Sequence, residues 1–150
     1  MKRLLFVLLV LTTGLAGCTL PPPREVPVPF TTLAMGEHSR IRQATAMVVR
    51  NSGEWQRLWK RHGGAPGERP TVDFSREMVV AVFMGEHPTA GHGLRVLDVH
   101  RANDGLHVLI RRRRPASGTL AAQVITTPFV MIRLPASDAP VHFDYAEDGG

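Results

Sequence analysis

Apolar and polar positions along this chain follow two different periods. Residues 30–35 and 45–50 are short β-prone runs, the second ending at Asn51-Ser52-Gly53. The next stretch sets Trp55, Leu58, Trp59 and His62 at i, i+3, i+4 and i+7, one apolar stripe on a short helix. Asn51 or Ser52 is placed to cap it, and Gly63-Gly64 stops it. Helical spacing assigns the two tryptophans to packing rather than to a ligand platform. Residues 65–73 form a polar, proline-containing loop. Residues 77–84 are apolar on both faces, which predicts a central strand covered on both sides. Residues 94–100 and 106–112 are two more strands, joined by Asn103-Asp104-Gly105, a hairpin-turn signal. Residues 121–125 and 129–134 read as one strand broken by Pro128, since proline cannot donate to a ladder. Residues 141–145 alternate cleanly, as a last, half-exposed strand does.

The order is two strands, one helix, then an antiparallel series of strands. It contains no βαβ alternation, internal repeat or second domain. The expected class is α+β: a mainly antiparallel, sandwich-like single domain with one short amphipathic helix.

The chain ends change this picture. Lys2 and Arg3 precede an apolar run from Leu4 to Leu11, too short to span a bilayer permanently, and small residues then lead to Cys18. This is a signal-peptide layout. Leu15-Ala16-Gly17-Cys18 resembles a bacterial lipobox, which implies cleavage before Cys18, diacylglycerol transfer to its sulfur and acylation (palmitate-type) of the new amino terminus. Two or three chains anchor firmly where one holds marginally. The expectation is a lipoprotein of the bacterial cell envelope, extracytoplasmic, and in the outer membrane where the cell has one, because no Asp follows Cys18. Residues 19–29 hold five prolines and favour polyproline II. The expected division is therefore a signal peptide over 1–17, a lipidated Cys18 with a proline-rich stalk over 18–29, and a folded domain over 30–150.

Cys18 is the sole cysteine, so no internal disulfide supports the fold. Without Lys2 and Arg3 the chain keeps sixteen basic against thirteen acidic side chains. That mild excess specifies no partner, and nucleic acid is not expected outside the cell.

Candidate chemistry is sparse. There is no G-x-S-x-G; Ser39, Ser52, Ser75, Ser117 and Ser137 sit in turn or cap contexts. His87 and His92 lie in one loop. His100 and His107, counted outward from the hairpin turn, face each other across two strands, where zinc binding requires a third ligand. No H-E-x-x-H, H-x-H or cysteine pair supplies a ligand set, so no metal, cofactor or small-molecule substrate is expected. Arg111-Arg112-Arg113-Arg114 before Pro115 reads as a solvated strand end that blocks aggregation. Anionic lipid headgroups are the alternative partner for that run. The segment His87-Pro88-Thr89-Ala90-Gly91-His92-Gly93 is stiffened by proline and freed by glycine, which suits either a binding finger or a plain hairpin connection.

Four pieces together resemble a known family. Val72-Asp73-Phe74-Ser75 with Glu77 to Gly85, then Pro88-Thr89-Ala90-Gly91-His92, resemble the PrcB C-terminal domain. Glu54-Trp55-Gln56-Arg57-Leu58-Trp59 is similar to its tryptophan-bearing helix, and Gln123 to Phe129 with Ile132-Arg133-Leu134-Pro135 to its closing segment. The chain departs from the pattern at His92, where an aromatic usually stands. The resemblance implies a small non-enzymatic module, commonly a lipoprotein, named for association with a surface or secreted protease complex. Pro88-Thr89-Ala90-Gly91-His92 is also similar to the N-P-T-T-G-aromatic loop of chagasin-type cysteine-protease inhibitors, with His87 for the Asn. The expected function is thus a non-catalytic envelope accessory or binding module, with Pro88, Thr89, Gly91 and His92 as contact residues. A chagasin-like inhibitor using residues 87–93 and an uncharacterised hydrolase are the competing classes.

Overall fold

The computed structural model describes residues 25–118 and 120–147. The expected signal peptide, Cys18 and the stalk as far as residue 24 lie outside the described residues. Eight strands, one α-helix and a short 3-10 helix (Pro66–Glu68) follow: β1 (Val26–Pro27), β2 (Thr31–Gly36), β3 (Thr45–Val49), α1 (Ser52–His62), β4 (Glu77–Phe83), β5 (Gly93–Ala102), β6 (Gly105–Arg113), β7 (Phe129–Pro135) and β8 (Val141–Glu147). One sheet has the order β1-β5-β6-β8 and the other β2-β7-β4-β3.

The two-sided apolar pattern of β4 explains the layering. Met78, Val80 and Val82 alternate with Val79, Ala81 and Phe83, so β4 presents an apolar row to each face. The first row, with Val130, Ile132 and Leu134 of β7, packs on Leu94, Val96 and Val99 of β5 and Leu106, Val108 and Ile110 of β6. This is the core between the sheets. The second row, with Phe129 and Met131, packs on Trp55, Leu58 and Trp59 of α1. The molecule is a sandwich with a helix laid on one outer face, the expected class.

The helix forms where its stripe predicts. Asn51 is the cap: its Oδ1 accepts from the Glu54 amide at 2.9 Å. The Glu54 carboxylate accepts from the Arg50 amide at 3.1 Å, so two amides at this helix entrance are satisfied by side chains. Both indoles are buried, and each has a partner for its N–H: Pro70 O for Trp55 and Ala65 O for Trp59, at 2.9 and 2.8 Å. The tryptophans are core, as their spacing implied.

Three expectations are corrected. Residues 121–125 form no strand; only Thr126 makes an isolated bridge, to His87. The closing series is not wholly antiparallel, because β8 pairs parallel to β6. The chain reaches it by crossing to the other sheet as β7 and returning, and a parallel pair needs such a long connection. Finally, the expected stalk ends early. Val26 and Pro27 pair with Arg101 and His100 on β5, and the Val28 amide donates to Val99 O at 2.7 Å. Proline tolerates this position because an edge strand does not require its missing donor. Among the described residues no helix is long and apolar enough to cross a membrane.

Candidate functional site

The loop after β4 is clamped to the segment before β7. His87 and Thr126 exchange backbone hydrogen bonds, the Ala90 amide donates to Ala122 O, and Thr126 Oγ1 donates to Thr89 O at 3.0 Å. Gly91 has φ 94°, and a Cβ there would lie 3.1 Å from Pro115 Cγ. A left-handed backbone and a close neighbour both favour glycine. The rings of His87 and His92 stack at 4.1 Å with 16° between planes. Burial pushes the His92 imidazole below its usual pKa, with His87 and Arg114 adding to the effect. Of the four residues expected to make contacts, Pro88 is exposed, while Thr89, Gly91 and His92 are half-buried. The exposed crest of this region is Pro88 together with Val124 and Ile125 on the clamped segment and Leu120 beside it.

Beneath that region lies a serine–histidine pair that the sequence did not reveal. Ser39 Oγ and His62 Nδ1 are 2.9 Å apart. The Ile41 amide donates to the same Oγ, and Thr127 Oγ1 accepts from Ser39 N–H and donates to Ser39 O at 2.6 and 2.7 Å. Among the described residues no carboxylate reaches the His62 ring, which rests on Phe129 at 4.2 Å between ring centroids. Burial holds its pKa below the usual value. The pair ties the β2–β3 connection to α1, and Thr127 ties the same connection to the approach to β7.

The third feature covers the outer face of the β1-β5-β6-β8 sheet. His100 and His107 are direct partners across the hairpin, as the turn register implied, with rings stacked at 5.2 Å. His142, the β8 partner of His107, extends the stack at 4.8 Å. Carboxylates interleave. Asp98 Oδ2 lies 3.0 Å from His100 Nδ1, Asp144 Oδ2 lies 2.9 Å from His107 Nδ1, and Asp104 Oδ1 lies 3.0 Å from His107 Nε2. The Asp104 carboxylate, joined by Asp144, raises the His107 pKa, and the His107 hydrogen bond lowers that of Asp104.

The arginine run is paired. Arg112 lies 3.8 Å over the Tyr145 ring, Arg113 meets Glu37 at 3.2 Å, and Arg114 meets Glu147 at 3.1 Å. These contacts are intramolecular and fit a strand end held to its neighbours, with β6 continuing to Arg113.

Fold and site together define a small helix-capped β-sandwich with a clamped loop and an exposed imidazole–carboxylate face. Residues 78–135 match the family described as PrcB C-terminal. The matched stretch runs from β4 through β7 and contains both the loop and its clamp. No curated protein and no solved structure matches the chain. At a coarse level, the family fits an accessory role at a protease complex.

Proposed function

We propose that this protein is a non-catalytic accessory module of the bacterial cell envelope, lipid-anchored at Cys18, that docks onto an extracytoplasmic protease. One observation carries the reading. Inside the family-matched stretch, Pro88 and the exposed apolar side chains Val124 and Ile125 lie on two segments fixed together by the His87–Thr126 bridge. Ile125 is 57% exposed. A rigid backbone with apolar side chains facing water is what a partner-binding surface requires, because little ordering entropy remains to be lost on docking. The lipobox-like Leu15-Ala16-Gly17-Cys18 supports the tether, and a Ser39–His62 pair without an orienting carboxylate supports a role without catalysis.

The test is crosslinking and capture from the native envelope, comparing the natural chain with a Pro88→Ser, Ile125→Glu double variant. Both positions are exposed, so equal thermal melts are expected. Capture of a protease by the natural chain and its loss in the variant is the expected result. A protease retained equally by both refutes the surface, and capture of no protease by either refutes the function. Peptide cleavage by the captured protease separates a docking subunit, which leaves cleavage intact, from an inhibitor of the chagasin type, which suppresses it.

A further inference from the structure

We propose that Asp104, His107 and His142 form a binding site for a divalent transition metal of the zinc class. One donor atom from each residue lies within 4.8 Å of the other two. The site is built from backbone that the fold holds in place. His107 and His142 are register partners on β6 and β8, and Asp104 belongs to the turn that opens β6. Gly105 permits that turn to approach β8: a Cβ there would come within 2.4 Å of Pro140 O and 3.2 Å of the His142 ring. The Asp104 carboxylate sits between the two Nε2 atoms, 3.0 Å from His107 and 3.8 Å from His142.

Asp144 gives this cluster its direction. Its Oδ2 lies 2.9 Å from His107 Nδ1 and holds a proton on that nitrogen, while Asp104 at 3.0 Å holds the Nε2 side, where a metal ion would take the place of the second proton. A carboxylate holding the far nitrogen of a ligand imidazole is the arrangement that orients histidine toward a metal. His100 stacks on His107 but turns its Nδ1 to Asp98, so it flanks the site without entering it.

Two imidazoles and one carboxylate, without thiolate, select zinc, cobalt, nickel or copper over magnesium or calcium. Metal–ligand bonds of about 2.0–2.1 Å place tetrahedral donors roughly 3.3 Å apart. The cluster therefore closes by about 1.5 Å at its widest separation when it takes up the ion. Asp104 and His142 are 63% and 42% exposed in their side chains and are free to make that movement. The same exposure lets water complete the coordination. A bound ion would clip the hairpin to β8, the half-exposed strand at the sheet edge.

The experiment is titration of the untagged full-length chain with zinc chloride by calorimetry, and with cobalt chloride by visible absorption. One saturable equivalent is expected, with the absorption bands of four-coordinate cobalt. His142→Ala and Asp104→Asn, each checked for an unchanged melt without metal, are expected to weaken binding by at least about tenfold. His38→Ala, on another face, is expected to leave it unchanged. Absence of saturable binding overturns the proposal, as does a zinc affinity that neither His142→Ala nor Asp104→Asn alters. Should His142→Ala lower the melt, Asp104→Asn alone decides, since that side chain projects from an exposed turn.

Discussion

The Thr127→Val variant tests what fixes the approach to β7. Thr127 is 7% exposed, and its hydroxyl both accepts from Ser39 N–H and donates to Ser39 O. Valine keeps the side-chain shape and volume, so the packing contribution is preserved while both hydrogen bonds vanish. Each is worth about 1 kcal/mol net, and the half-buried Ser39 groups regain water only in part, so the expected loss is about 2–3 kcal/mol. Thr126→Val removes one such bond, to Thr89 O, and should cost about 1 kcal/mol. In a domain of this size 1 kcal/mol corresponds to roughly 3–5 °C in Tm, so Thr127→Val should melt about 6–15 °C early. Urea unfolding followed by tryptophan fluorescence reads this directly, because Trp55 and Trp59 both pack on the layer that β7 completes. The m-value should not change. A Thr127→Val loss below about 0.5 kcal/mol, or one no larger than that of Thr126→Val, refutes the assignment of these two bonds as the tie.

Further substitutions probe other parts of the same frame. Asn51→Ala deletes the helix cap and should cost about 1 kcal/mol in urea unfolding, with Asn51→Ser nearly neutral. Gly91→Ala forces a left-handed backbone on a residue with a Cβ and presses on Pro115, so about 1–2 kcal/mol should be lost, while exposed Gly67→Ala should lose far less. Stability should also fall in mild acid. Burial depresses the His62 pKa, so its contribution is present above the unfolded value of about 6.5 and is lost as pH falls toward and through the folded value. In His62→Gln, melts recorded from pH 7.5 to 5 should lose that part of the slope; an unchanged slope rules out His62 as a source.

Local patterns were legible and long-range ones were not. The Trp55-Leu58-Trp59-His62 stripe and the two-sided β4 run are readable because each records a single element's burial. The His100–His107 pairing was countable because the Asn103-Asp104-Gly105 turn fixes the register of its own hairpin. His142 was invisible by the same logic. It joins His107 through a parallel pairing reached only after the chain has crossed to the other sheet, and no local period marks such a partner. Residues 121–125 fail as a strand for a related reason. They have the composition of one, but their backbone is taken up by the loop that β4 leaves behind: Ala122 O accepts from Ala90, and the adjacent Thr126 bridges His87. In sequence that loop suits either a finger or a plain hairpin connection, because Pro88 and Gly91 mark stiffness and positive φ, while the groups that lie against it, Pro115, Ala122 and Thr126, come from further along the chain. The clamp changes what the loop can do. A finger binds by inserting Gly91 and His92, whereas the clamped loop keeps His92 stacked on His87 and leaves Pro88 exposed, as Val124 and Ile125 are on the segment it pairs with. The consequence is separable by mutation. His92→Ala should disturb the loop's own packing and lower the melt, and Ile125→Glu should leave the melt alone and strike only what docks there.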